Sequence, residues 1–309
     1  MPSAEPVSDF EKLAQAIRPK LHRYCARMAG SSIDGEDIVQ DAMLKAMQSD
    51  MSAATIADPE AWLFRIAHNT AIDFLRRRVR LQAITVDDAD EAAVADPNDE
   101  VARHEIAAMG LRPFMRLSPA ERSSVILKDV IGHSVQEIGL IMNTTVPAVK
   151  AALHRGRTRL ASLSAQMESE AEIALSEDEQ ERLAYYVDRF NARDFDAVRD
   201  LLADDVRLDL VNRTTLRGKT DVGRYFTNYD ARHDWKFVVG TVEGRPAILS
   251  HNVADPAAPA TNFILLDWAD ERITRITDYF FSPYVLERAK SRDTASSEDG
   301  PFVRSNICT

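Results

Sequence analysis

Six aromatic residues stand in the first 180 positions of this 309-residue chain, and fifteen stand between 181 and 290. No other feature restricts the fold as much. Aliphatic residues recurring at three- and four-residue steps build helices, whereas aromatic residues in alternating runs favour strands. The front of the chain therefore reads as helical and the back as mixed. At about 150 residues per domain the length allows two domains, or three small ones.

Charge divides the chain again. The net charge of −11 argues against a polyanionic partner until it is mapped. Residues 61–80 carry Arg65, Arg76, Arg77, Arg78 and Arg80 against Asp73 alone. Residues 111–160 carry Arg112, Arg116, Arg122, Lys128, Lys150, Arg155, Arg157 and Arg159 against three acids. The stretches 81–110 and 161–181 are strongly acidic. Screening confines such charges to about 10 Å, so two basic islands can bind phosphates locally or serve as solvated faces.

The front periodicities predict individual helices. Phe10, Leu13, Ile17 and Leu21 share one face of a helix over 9–29, with Pro19 predicting a kink or a break into two. Asp34 reads as an N-cap for EDIVQDAMLKAMQ, with Ile38, Ala42, Met43 and Ala46 inward and Glu36, Asp37, Gln40 and Asp41 on an acidic face. Asp58-Pro59 opens a third helix. There Arg65, Asn69, Asp73, Arg76 and Arg80 recur at three- and four-residue steps, a stripe able to lie on a phosphate backbone and reach base edges. An ordinary amphipathic helix fits that segment equally.

Residues 111–162 are more specific. Ser118 with Glu121 and Ser134 with Glu137 are capping boxes, and from Val135 onward the pattern fits a helix-turn-helix. Gly139 is the small residue where two helices touch, Asn143 tolerates a left-handed turn, and Thr145 caps the second helix. Val146, Val149, Leu153, Gly156 and Leu160 form its buried stripe; Pro147, Lys150, Ala151, His154, Arg157 and Thr158 face away. Thr144 stands where an apolar residue is usual.

The segments DGEDIVQDAMLKAM, DPEAWLFRIAHNTAIDFLRRR and LSPAERSSVILKDVIGHSVQEIGLIMNTTVPAVKAALHRGRTRL resemble the extracytoplasmic-function (ECF) sigma factors of bacterial RNA polymerase, over roughly residues 10–162. The resemblance implies that Glu36, Asp37, Gln40 and Asp41 dock on the β′ clamp helices of the polymerase core. It implies that Arg65, Asn69, Asp73, Arg76 and Arg77 recognise and open the −10 promoter element. Thr145, Pro147, Lys150, His154, Arg155 and Arg157 would meet the −35 element. Ala152 stands where arginine is common in the recognition helix, which suggests a different −35 preference.

Behind this lies a third capping box, Ser176 with Glu179, opening a helix with Leu183, Tyr186, Val187 and Phe190. Helical pieces and then alternating runs follow, with a turn at Glu243-Gly244, predicting an α+β domain with an antiparallel sheet. Element order and the LLDWADERITRITDYF ending resemble SnoaL-like domains of the nuclear-transport-factor-like cone fold, over about 180–288. Relatives of that kind include cyclases and isomerases that use Asp and His as acid and base. The resemblance makes Asp209, His251, Asp267 and Asp278 pocket candidates, with Tyr186 and Tyr279 as lining. The plainer alternative has the acids in solvent and the aromatics in a core.

The expected fold is thus multidomain: two all-α helical sigma domains, the second a helix-turn-helix, followed by an α+β SnoaL-like cone domain. Its expected divisions are 1–82, an acidic linker at 83–110, 111–165, a second acidic linker at 166–178, 179–290, and a disordered tail at 291–309. No cofactor, metal or catalytic residue is called for, because Cys25 and Cys308 stand far apart and the seven histidines show no HExxH spacing. Neither a secretory leader nor a membrane partner is expected, which points to the cytoplasm. The expected partners are the polymerase core, promoter DNA and a small-molecule ligand of the C-terminal domain. That domain would regulate the chain in cis, as in sigma factors with a fused domain of this type, although their characteristic linker peptides have no clear match here. Two alternatives stay open: a stand-alone helix-turn-helix regulator, and a SnoaL-type enzyme with a DNA-binding appendage.

Overall fold

The structure is a computed structural model describing residues 9–49, 58–82, 106, 110–164, 175–229, 234–255, 258–289 and 291–293. The chain forms two compact units, Met1–Ser169 and Glu170–Thr309. Most of the expected linkers and tail lies outside the described residues. Within those ranges, however, Ser176 caps a helix, and Ser291–Asp293 form a strand where an irregular tail was expected.

The first unit is helical. Helix α1 (Asp9–Ala29) runs past Pro19 undivided, so of the expected kink or break the break does not occur. Its Ile17, Leu21, Tyr24 and Met28 are buried, so packing along one face outweighs the lost hydrogen bond. Helix α2 (Ser32–Gln48) begins earlier than expected: Ser31 is its cap, accepting from the Asp34 amide at 3.1 Å. Gly35 sits inside that helix, and an added Cβ would lie 2.5 Å from the Ala26 Cα, so its absence lets α1 and α2 approach closely. Helix α3 (Pro59–Gln82) follows.

Helix α4 (Pro119–Val125) starts at the Ser118 capping box and continues as a wider π turn over Ile126–Ile131. Gly132, with φ 99°, ends it. Helices α5 (Val135–Ile141) and α6 (Val146–Ser164) complete the unit. One continuous core takes Tyr24, Phe64 and Ala71 from the first helical module together with Phe114, Val125, Ile138 and Leu160 from the second. The two modules are therefore packed on each other rather than set apart. Arg122 reinforces the join by donating to the carbonyls of Met28 at 2.6 Å and Leu117 at 2.9 Å.

The second unit opens with α7 (Glu177–Asn191) and α8 (Phe195–Asp200). Strands β1 (Leu202–Leu210) and β2 (Thr214–Arg217) precede helix α9 (Lys219–Tyr225) and a 3-10 turn at Phe226–Tyr229. Then come β3 (Trp235–Val242), β4 (Arg245–Asn252), β5 (Asn262–Ala269), β6 (Arg272–Asp278) and β7 (Ser291–Asp293). One sheet runs in the order β2-β1-β6-β5-β4-β3-β7. It is mixed, not purely antiparallel: β1 and β6 pair in parallel, since they meet across the sheet and not through a hairpin. The β3–β4 hairpin turns at Glu243 (φ 54°) and Gly244 (φ 77°), the positive pair that a tight hairpin favours. The aromatic residues mostly fill the core: Phe190 packs against Tyr186, Phe195, Phe226, Tyr229, Trp235 and Phe237.

Candidate functional site

On α2, side-chain burial splits the four acidic-face candidates. Asp37, Gln40 and Asp41 are exposed, and Leu44 beside them is 53% exposed. Glu36 is not available to a partner. It is 1% exposed and ion-paired with Arg18, whose Nε donates at 3.1 Å. A position one residue before Asp37 is rotated by about 100° on a helix, here far enough to point at α1.

Helix α3 turns Leu63, Phe64, Ala67 and Ala71 into the core and leaves Arg65, Asn69, Asp73, Arg76, Arg77 and Arg80 exposed. The expected stripe is thus a real surface. Asp73 and Arg76 pair at 3.6 Å, and Arg77 reaches Asp41 of α2 at 4.0 Å, so the acidic and basic faces adjoin. Arg78 departs from the basic island: it donates to the Ala29 carbonyl at 3.1 Å and lies 3.8 Å from Asp34.

In the helix-turn-helix, Asn143 has φ 50°, as the turn requires, and the Thr145 hydroxyl accepts from the Ala148 amide at 3.3 Å. Val149, Leu153, Gly156 and Leu160 are buried. Thr145, Pro147, Lys150 and Ala151 are exposed and His154 is half-buried. Two expectations change. Arg157 is not free to hold phosphates, because it donates to both carboxylate oxygens of Asp129, at 2.9 and 2.5 Å, and its side chain is 12% exposed. Ala152 is 4% exposed, buried on α6 rather than presented at its surface, so it is not a base-reading position. Arg155 is outward but tethered, donating to Glu121 at 2.9 Å. Burial raises the Glu121 carboxyl, yet hydrogen bonds from Arg155 and Ser118 outweigh it and hold the group below its ordinary range.

A cleft of about 720 Å³ lies between α3 and the second module, lined by Ile72, Leu75, Arg76, Val79 and Arg80 opposite Pro119, Met142 and Asn143. His68 stands at its base, with Nδ1 2.8 Å from the Tyr24 hydroxyl and 3.3 Å from that of Ser123. Burial pushes the His68 imidazole down to about 4.

In the second unit, strand parity sorts the pocket candidates. Asp278 is in register with Leu210 and Ile264, on the core side of the sheet, and Asp209 is in register with Thr277 on the opposite side. Asp209 is accordingly held by Arg207 at 2.7 Å, Thr215 at 2.8 Å and Arg275 at 2.8 Å, away from the pocket. Asp267 is exposed, paired in register with Arg275. Tyr279 stacks on Phe263 at 4.1 Å and Tyr186 on Phe190 at 5.6 Å, so both are core rather than lining.

Asp278 and His251 do share a cavity of about 130 Å³, together with Tyr229, Trp235, Phe237, Ser250, Asn262 and Ile264. Asp278 is 2% exposed. Its Oδ1 accepts from the Phe280 amide at 2.8 Å, and its Oδ2 from the Tyr225 and Tyr229 hydroxyls at 3.4 Å each. Burial pushes the carboxyl up to about 6 against these three donors. The tyrosines were not anticipated, although their spacing of four on a helical segment was a usable signal. His251 is engaged with the Ala258 carbonyl at 3.2 Å and with Asp293 at 3.3 Å. Among the described residues no group of His, Cys, Asp and Glu could hold a metal ion, and no helix is long and apolar enough to cross a membrane.

Comparison with known proteins finds three family matches along the chain. Residues 13–81 match the model of sigma-70 region 2, residues 114–160 that of sigma-70 region 4, and residues 183–276 that of the SnoaL-like domain. ECF RNA polymerase sigma factor SigG of Mycobacterium tuberculosis is 27% identical over 229 residues, covering 65% of this chain. The chain spans 60% of that relative's length. The crystal structure of the extracytoplasmic function sigma factor SigJ of Mycobacterium tuberculosis is 20% identical, covering 87% of this chain and 95% of that one, with a TM-score of 0.34. ECF RNA polymerase sigma factor SigW of Bacillus subtilis is 30% identical over 161 residues, covering 49% of this chain and 86% of the relative. With two sigma-70 regions in order and a relative matched across most of its length, the chain belongs to the ECF RNA polymerase sigma factors.

Proposed function

We propose that this protein is an alternative sigma factor that acts in the cytoplasm, binds core RNA polymerase and directs promoter-specific initiation. The observation that carries the reading is the exposed stripe on α3, where Arg65, Asn69, Asp73, Arg76 and Arg77 face outward from a helix whose other side is core. Guanidinium and amide groups in a line supply phosphate contacts and base-edge hydrogen bonds together. The face of α2 formed by Asp37, Gln40 and Asp41 is the docking surface for the β′ clamp helices, and Glu36 is its internal support. The N-terminal half of α6 enters the −35 major groove with Thr145, Pro147, Lys150 and His154, flanked by Arg155. Arg157 holds the helix in place from behind.

The reading makes this a binding protein with no chemistry of its own. The C-terminal unit regulates it in cis. Transcription in vitro with purified core polymerase and randomised promoters tests the assignment: promoter-specific RNA is expected, and absence of both transcripts and polymerase co-migration would overturn it. Removing residues 166–309 is expected to change promoter output; unchanged output across conditions would remove the cis-regulatory part alone.

A further inference from the structure

We propose that the cavity of the C-terminal unit binds a small organic cation, a primary amine on a single ring or similar apolar body, with Asp278 as its counter-ion. The proposal is independent of how the helical unit meets DNA. It starts from the position of one carboxylate. Asp278 is 2% exposed and lines the cavity, and every group that contacts it among the described residues is a neutral donor: the Phe280 amide and two phenols. Buried carboxylates are ordinarily matched by a cation, because an unpaired charge loses its hydration on burial with nothing to replace it.

Among the described residues, no group in contact with Asp278 supplies that cation. Among the described lining residues there is no Lys or Arg. Arg193 stacks on the Trp235 ring at 4.4 Å and donates to the Tyr229 carbonyl at 2.8 Å, and it is not part of the lining. The His251 ring, which does line the cavity, is turned to Asp293 and the Ala258 carbonyl. At Asp278 the electrostatic demand is therefore for positive charge, and an anionic ligand would be repelled by that carboxylate.

Size and shape restrict the class further. A volume of about 130 Å³ is close to that of an engineered cavity that accepts benzene, so one ring with a short substituent fits. Phe237 and Ile264 offer apolar contact to the ring, while Ser250 and Asn262 offer oxygens to the remaining ammonium hydrogens. Burial already pushes Asp278 up to about 6, so at pH 7.5 most of the carboxyl is ionised and available as a counter-ion.

Calorimetric titration of the full chain at pH 7.5 with benzylamine, benzyl alcohol and benzoate tests this. Benzylamine is expected to bind at least tenfold more tightly than benzyl alcohol, and benzoate not at all. Asp278→Asn should abolish the amine preference while leaving weak alcohol binding unchanged. Equal or tighter binding of the alcohol or benzoate, full amine affinity in the Asn variant, or no saturable binding of any of the three overturns the proposal. Should Asp278→Asn fail to fold, the Ile264 methyl resonance of the wild-type chain decides the matter. It should shift with benzylamine and stay fixed with benzoate; the reverse, or no shift, refutes amine binding there.

Discussion

Arg157 on α6 and Asp129 in the π turn that continues α4 face each other, the guanidinium giving both carboxylate oxygens a hydrogen bond, at 2.9 and 2.5 Å. The Asp129 side chain is fully buried and that of Arg157 nearly so. A fork of this kind fixes the angle of α6 on the π turn that continues α4, and it withdraws one arginine from the surface proposed to meet DNA.

Arg157→Ala should therefore act on folding. Removing the guanidinium that gives the buried Asp129 carboxylate two hydrogen bonds is expected to cost about 3 kcal/mol, seen as a lower denaturation midpoint. Lys150→Ala should do the opposite: unchanged stability, and a salt dependence of promoter binding by the holoenzyme flattened by about one unit of slope. If Arg157→Ala left stability intact and flattened the slope as Lys150→Ala does, the buried pair would be wrong.

A similar division applies on α2. Asp41→Lys should weaken association with core polymerase and leave helical content unchanged, because Asp41 is exposed and its contact with Arg77, at 4.0 Å, is a surface pair of small value. Glu36→Gln should lower the thermal midpoint by an amount equivalent to about 3 kcal/mol, since it takes the negative charge out of a buried ion pair with Arg18. Pull-down of polymerase by both variants, with circular dichroism alongside, separates the two. Equal polymerase binding by Asp41→Lys and wild type would move the docking surface elsewhere.

What could be read without coordinates follows from how local each signal is. The capping boxes at Ser118, Ser134 and Ser176 and the turn at Asn143 are set within four residues and were legible. Glu36 and Arg157 were misplaced because their partners, Arg18 and Asp129, lie 18 and 28 residues away, and a helical wheel does not show what a neighbouring element offers. Gly35 carries no local signal for the same reason: its role is defined by Ala26 on another helix. The pocket is a different case. Asp209 lies between the buried Leu208 and Leu210, so simple alternation already put it on the far side of the sheet. Asp278 shares the parity of Ile276, and alternation put it inside. What alternation does not reveal is that no cation would meet it there.

Close packing of α1 on α2 gives a third test. Gly35→Ala places a methyl 2.5 Å from the Ala26 Cα and 2.6 Å from its backbone nitrogen, neither of which can rotate away. The helices must separate, at an expected cost of about 1–3 kcal/mol. Gly110→Ala, with nothing within 4 Å, should be close to neutral. Thermal melts of the two variants should differ by several degrees, and equal midpoints would contradict the close helix approach.

Acid should act in opposite directions on the two units. Burial lowers His68 from 6.5 to about 4, so the unfolded chain takes up a proton before the folded one does. Its contribution is complete above pH 6.5 and is lost as pH falls toward 4, by an amount on the order of 3 kcal/mol. Burial raises Asp278 from 3.8 to about 6, so here the folded chain binds the proton first. This contribution is complete below pH 3.8 and is lost as pH rises through 6, by a similar amount. Trp62 reports on the helical unit, and Trp235 and Trp268 on the other, so denaturation followed by fluorescence of single-tryptophan variants resolves the two. Between pH 7 and pH 5, His68→Gln should lessen the acid destabilisation of the helical unit, and Asp278→Asn should remove acid stabilisation from the second. Finding that Asp278→Asn made its unit more sensitive to acid would show that the carboxylate is charge-compensated, and would remove the physical basis for a cationic ligand as well.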